Sequence, residues 1–157
     1  MGVARLAILR IDAQQWAVRR LDRLARRLGR RPAVAAHLVT GLDGEMEAFF
    51  HLRRLGYTVV ARRWKTQKVR GDIDLIAWHD GWLCFIEVKT RTRRDAIPAE
   101  FAVDRDKQQM LKRMAGAYLR RFPEQERSTL PVRFDVVSVY LAEGSAAEFE
   151  VFPGAFD

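Results

Sequence analysis

Four charged residues in one short stretch carry the chemistry this sequence offers. Asp72, Asp74, Glu87 and Lys89 lie in the run from Gly71 to Arg91, which is otherwise mostly apolar. Asp80-Gly81 between two apolar segments predicts a two-residue type I′ turn, and hence a β-hairpin. With that turn, His79 faces Trp82, Asp74 lies opposite Glu87, and Asp72 opposite Lys89. Side chains alternate along a strand, so all four charges fall on one face. Directly opposed Cβ atoms are about 4.5–5.5 Å apart, and like charges there destabilise the pair. Two carboxylates so placed need a positive charge, which a divalent cation supplies. Paired carboxylates beside a lysine suit metal-assisted phosphodiester hydrolysis. A plainer alternative pairs Asp72 with Lys89 and leaves Asp74 and Glu87 at a wet sheet edge. Against it, both faces beyond the charged end are apolar: Ile76, Trp78, Leu83 and Phe85 on one, Ile73, Leu75, Ala77, Cys84, Ile86 and Val88 on the other. Such strands are covered on both sides, and uncovered charges there are costly. The site reading is therefore preferred.

The hairpin needs elements around it. Residues 14–28 suit an amphipathic helix with Trp16, Leu21, Leu24, Ala25 and Leu28 on a loose apolar stripe, stopped by Gly29-Arg30-Arg31-Pro32. Residues 42–55 form a second helix closed by Gly56 in the C′ position. On it Glu45 shares a face with Ala48, Phe49 and Leu52, whereas Glu47, His51 and Arg54 point the other way. Glu45 is thus the acid aimed at the core. Tyr57 to Trp64 reads as a first strand, followed by a basic loop with Lys65, Lys68 and Arg70 that can touch a phosphate backbone. Three arginines (Arg91, Arg93, Arg94) lie in the connection after the hairpin. Asp104 then caps a helix running to about Phe122, whose stripe is Lys107, Met110, Leu111, Met114 and Tyr118. Lys107 either reaches the carboxylates or a phosphate, or lays its stem over the sheet edge, and the second is favoured. Val132 to Leu141 is a fourth strand and Glu148 to Phe152 a short fifth. Asp135, close to Arg133, is read as structural.

The 157 residues suit one globular domain. The single cysteine, Cys84, excludes a disulfide framework and fits a reducing cytoplasm. No apolar run is long enough to span a membrane, and Leu6 to Leu9 is too short for a secretory segment. His37, His51 and His79 are scattered, so no zinc spacing exists, and no histidine is placed to serve Cys84 as a nucleophile. The net charge of +8 is uneven: residues 1–40 hold nine arginines and two aspartates (+7), and residues 41–157 hold nineteen basic and eighteen acidic residues (+1). Residues 1–40 are therefore read as a basic helical appendage to a domain over 41–157. A polyanion partner and a merely solvated helix face are equally open readings of that appendage.

The order of helix acid, Asp74 and Glu87-Val88-Lys89, spread over helix, strand, hairpin, helix and strand, resembles the PD-(D/E)XK nuclease superfamily. More closely, Gly44-Glu45-x-x-Ala48, Gly56-Tyr57, Gly71-Asp72-Ile73-Asp74-Leu75-Ile76, Phe85-Ile86-Glu87-Val88-Lys89-Thr90-Arg91, Lys107 and Arg133-Phe134-Asp135-Val136-Val137 resemble the YraN-like family of bacterial proteins. The likeness covers about residues 42–141. It implies an α/β, restriction-endonuclease-like core, a mixed sheet of four to five strands flanked by helices. It also implies that Asp74 and Glu87 ligate Mg²⁺ or Mn²⁺ with the Val88 carbonyl. Lys89 would then orient or deprotonate the attacking water, and Glu45 would bind a second metal or a metal-bound water. Asp72 departs from the family's usual glutamate. Asp72, Arg91 and Lys107 are expected in support or on phosphate, and Lys68, Arg70 and Arg93 on nucleic acid. The function expected is a metal-dependent endonuclease acting on DNA, on branched or repair intermediates, with a homodimer a suitable form for junctions. The alternative is a nucleic-acid-binding protein that keeps the fold without turnover.

Overall fold

The computed structural model describes residues 2–28, 36–91, 103–142 and 144–157. Helices α1 (Gly2–Arg27) and α2 (Ala36–Arg54) precede β1 (Thr58–Thr66), β2 (Val69–His79) and β3 (Trp82–Arg91). They are followed by α3 (Arg105–Leu119), the single turn α4 (Glu124–Arg127), β4 (Val132–Tyr140) and β5 (Glu148–Phe156). The strands form one sheet in the order β1-β2-β3-β4-β5. Only β3 and β4 run parallel, because α3 carries the chain back between them. This is the mixed sheet flanked by helices expected of a nuclease-like core.

Local chemistry sets the ends of these elements. Asp80 and Gly81 both have positive φ, 49° and 82°, as a type I′ turn requires. At the end of α2, Tyr57 N–H donates to Leu52 O at 3.0 Å and Gly56 N–H to Arg53 O at 3.2 Å. Gly56 stands at φ 94°, completing the glycine-capped helix stop and turning the chain into β1. Asp104 caps α3, its Oδ1 accepting from Lys107 N–H at 2.8 Å.

The core has two halves, one on each face of the sheet. Under α3 lie Ile73, Ile76, Leu83, Phe85, Leu111, Met114 and Val136, all fully buried. Under α2 lie Ala48, Leu52, Leu75, Ala77, Cys84, Ile86, Val137 and Val139. Each large apolar side chain so covered contributes about 1.5–3 kcal/mol. Away from the hairpin's charged end, Arg133 pairs with the buried Asp135 at 2.7 Å. Gly154 N–H donates to the same carboxylate at 3.0 Å. Asp135 is therefore paired with Arg133 and tied to β5 within the fold.

Several elements differ from expectation. Helix α1 begins at Gly2 rather than residue 14, and α2 begins at Ala36, within the segment assigned to the appendage. The stop at Gly29 to Pro32 lies outside the described residues. The basic loop after β1 is instead a tight turn at Gln67-Lys68, because β1 continues to Thr66 and pairs with Val69. Strand β5 extends to Phe156 rather than Phe152, since an edge strand tolerates Pro153. Helix α1 docks through the buried Ile11 and through polar groups: Gln15 and Arg19 meet Glu47, and Arg54 meets Asp12 at 2.8 Å. Its apolar stripe faces away, with Trp16 58% and Leu24 52% exposed. Among the described residues no helix is long and apolar enough to cross a membrane.

Candidate active site

The charged end of the hairpin opens into a fork. The β2–β3 ladder runs from His79↔Trp82 to Leu75↔Ile86 and ends there, while β2 stays on β1 and β3 stays on β4. Asp74 is therefore not across a rung from Glu87, as the regular hairpin implied. It bridges the fork instead, its Oδ2 accepting from Val88 N–H at 2.7 Å. Expected alternation also breaks there: Ile73 packs with Ile76 under α3, whereas Leu75 and Ala77 lie under α2. The neighbouring strand β1 breaks alternation at the same place. On β1, Arg62 lies over the Phe49 ring of α2 at 4.8 Å, and Trp64 meets Tyr118 of α3 at 5.2 Å. In a regular strand those residues would share a face. Between them Arg63 has φ 47°, at the rung between Arg62↔Leu75 and Trp64↔Ile73, which is the rung of Asp74.

Glu87 sits at the centre of the fork and is 3% exposed. Lys89 Nζ lies 3.1 Å from its Oε1 and Lys107 Nζ 3.0 Å from its Oε2. Lys107 thus reaches the carboxylate rather than only covering the sheet edge, with its backbone fixed by the Asp104 cap at the start of α3. Each Glu87 oxygen is therefore held by its own ammonium group. Asp74 is 9% exposed. Burial, then the charge of Glu87, pushes its carboxyl up to about 7, against the pull of Val88 N–H and Lys107. Burial lowers the Lys107 pKa, but Glu87, Asp74 and Asp72 outweigh it, so it stands above the usual lysine value.

Glu45 faces the sheet as its helical position required, with its side chain 17% exposed, and meets Arg63 Nε at 3.5 Å. Burial raises its pKa and Arg63 opposes the rise. It reaches that position because Gly44, buried next to it, lets α2 rest on β3. A Cβ at Gly44 would overlap the Thr90 hydroxyl and methyl. Glu47 lies on the outer side as expected, where it anchors α1. Asp72 does not pair with Lys89; its ion pair is with Lys65 across the β1–β2 hairpin, at 3.8 Å, because the fork separates β2 from β3 there.

The remaining candidates are peripheral. Lys68 occupies the β1–β2 turn and Arg70 is exposed on β2. Arg91 ends β3 in register with Tyr140, its carbonyl accepting from Leu141 N–H at 2.8 Å. Arg93 lies outside the described residues. Residue type alone did not single out Arg63. Its signal is the loss of alternation in Ala61-Arg62-Arg63-Trp64, where two arginines interrupt an otherwise regular pattern.

Among the described residues no three His, Cys, Asp or Glu side chains converge. Asp74 and Glu87 form a pair, and Glu45 stands beside it. The donors are all oxygen, the set that hard divalent cations prefer. The crowded carboxylates fit a cation better than they fit each other.

Comparison with known proteins agrees with the motif-based resemblance. The model of Uncharacterised protein family UPF0102 matches residues 44–139, which include Gly44, Glu45, the fork, Lys107 and all but the last residue of β4. A UPF0102 protein of Koribacter versatilis is 45% identical over 142 residues, covering 90% of this chain and 93% of its own length. One from Solibacter usitatus is 43% identical over 136 residues, covering 87% of this chain and 97% of its own. One from Porphyromonas gingivalis is 39% identical over 124 residues, covering 78% and 87%. With the family model spanning more than half of the chain and such relatives aligned along most of their lengths, the chain belongs to the UPF0102 family, the YraN-like family of its motifs.

Proposed function

We propose that this protein is a metal-dependent endonuclease that hydrolyses phosphodiester bonds in DNA, at the fork between β2 and β3. The observation that carries the reading is the burial of Asp74 and Glu87 together at an opening in the sheet, with Lys89 and Lys107 on the same carboxylate. A purely structural ion-pair cluster has no need to crowd a second acid, Asp74, against Glu87 and push its carboxyl to about 7.

Asp74, Glu87 and the Val88 carbonyl would hold Mg²⁺ or Mn²⁺, with Glu45 as a further acid. The ion supplies charge neutralisation at the phosphate and a more acidic water. The chain's own groups do the rest. The Val88 N–H fixes the Asp74 carboxylate, leaving its other oxygen for ligation. Lys89, on Glu87 Oε1, would orient an attacking water and take or return its proton. Lys107, on the opposite oxygen, adds positive charge where the phosphate gains negative charge. Arg70 and Lys68, exposed at one end of the hairpin, suit contacts to flanking phosphates, which position a nucleic acid without reading its sequence.

The test is incubation of the protein with labelled duplex, flapped and four-way-junction DNA in Mg²⁺ or Mn²⁺. Cleavage that requires the metal and is lost in Asp74→Ala and Lys89→Ala supports the reading. Salt-sensitive DNA binding without cleavage in any metal contradicts it and favours the non-catalytic binder.

A further inference from the structure

Arg63 combines three properties that no structural role of its own requires. Its backbone is left-handed, at φ 47°, a conformation that side-chain-bearing residues avoid and that clusters at functional positions. It stands at the rung of Asp74, where the side-chain alternation breaks on both strands. Its guanidinium makes a single-point ion pair with Glu45 at 3.5 Å, with the arginine side chain 48% exposed and the glutamate 17%. A half-exposed contact of that length adds little to the stability of the fold. The guanidinium is instead held at the mouth of the site by a carboxylate, the protein group whose forked geometry most resembles that of a phosphate.

We propose that Arg63 is a phosphate-binding residue and that Glu45 occupies it, as an internal substitute anion, until nucleic acid enters the fork. This rests on the phosphodiester reading of the site. The guanidinium then passes from the Glu45 carboxylate to the non-bridging oxygens of a backbone phosphate. Glu45, released, turns to the Asp74–Glu87 pair once a cation is held there, since Asp72 and Glu87 alone repel its carboxylate. No bond is made or broken in this exchange; one anion replaces another on the same cation. It couples entry of the polyanion to assembly of the full set of acids, which accounts for Glu45 lying beside the pair rather than within it. Lys65, tied to Asp72 at 3.8 Å on the same strand, extends the basic surface beyond it.

The test uses the full chain, a fluorescein-labelled flapped DNA, and Ca²⁺ in place of Mg²⁺ to hold back cleavage. Affinity is read by anisotropy across a salt series. Arg63→Gly, which removes the left-handed strain, is expected to melt no lower than wild type. It should nevertheless bind DNA about tenfold more weakly, with a salt slope smaller by about 1. Arg63→Lys should recover part of the loss. Glu45→Gln should tighten binding about threefold in the wild-type background and have no effect in Arg63→Gly, the coupling that an exchange on one cation demands. Equal tightening in both backgrounds, or wild-type affinity in Arg63→Gly, overturns the proposal. Wild type that binds DNA with this coupling but never cuts it overturns the nuclease reading and leaves the clamp standing. Wild type that binds no DNA overturns both.

Discussion

Replacing Asp74 by asparagine keeps the shape of the side chain and an oxygen to accept the Val88 N–H, and removes only the charge. In the fold, burial and then Glu87 hold the Asp74 carboxyl up to about 7, whereas an unfolded aspartate titrates near about 3.9. Between those values the native state keeps the proton that the unfolded chain has lost. The stability this group contributes is therefore complete below about pH 4 and is lost as the pH rises to about 7. At about 1.4 kcal/mol per pH unit, the rise from pH 5 to pH 7 and above removes about 2–3 kcal/mol from wild type. The asparagine variant, neutral throughout, does not lose it. Thermal unfolding in chelator, followed by circular dichroism at pH 5 and pH 8, reads the difference. The Tm of Asp74→Asn relative to wild type should climb by about 5–10 °C between the two pH values. Excess Mn²⁺ at pH 8 should then raise wild type and leave the variant where it was. A Tm difference that stays constant with pH would refute the idea that two crowded carboxylates strain this fork.

Other substitutions separate positioning from chemistry. Gly44→Ala forces α2 off Thr90 and should cost about 1–3 kcal/mol by overpacking, with a loss of cleavage larger than the loss of folded protein at the assay temperature. Asp104→Ala removes the cap that fixes Lys107 and should cost about 1 kcal/mol in chemical denaturation, while lowering kcat through a misplaced ammonium. Asp135→Ala leaves Arg133, whose side chain is 18% exposed, without its partner. It should cost about 3–5 kcal/mol and leave the metal affinity of the folded fraction unchanged.

The hairpin was legible because Asp80-Gly81 dictates its turn and the flanking pattern its register, and the ladder from His79 to Leu75 follows both. The direction of Glu45 was legible because a helix repeats by geometry alone. The fork was not, because a strict two-residue alternation carries Asp74 past the point where the observed pattern breaks. The break falls beside Arg63 on another strand, whose left-handed backbone no pattern within β2 encodes. Lys107 was placed on the correct face, but whether its ammonium reaches Glu87 depends on how close α3 packs to β3, which no local pattern encodes. The N-terminal stripe was read correctly as a stripe. Which side of α1 meets the domain was decided by Glu47 and Arg54, polar partners on a helix far along the chain.

The central claim is that Asp74 and Glu87 form a divalent metal site, and calorimetric titration of Mn²⁺ into the metal-free protein tests it most directly. Wild type should bind the ion, more tightly with a DNA junction present, and Asp74→Ala and Glu87→Gln should bind none. Heat of binding unchanged in both variants, or none in wild type even with DNA, would contradict the claim and leave the fork as an ion-pair cluster.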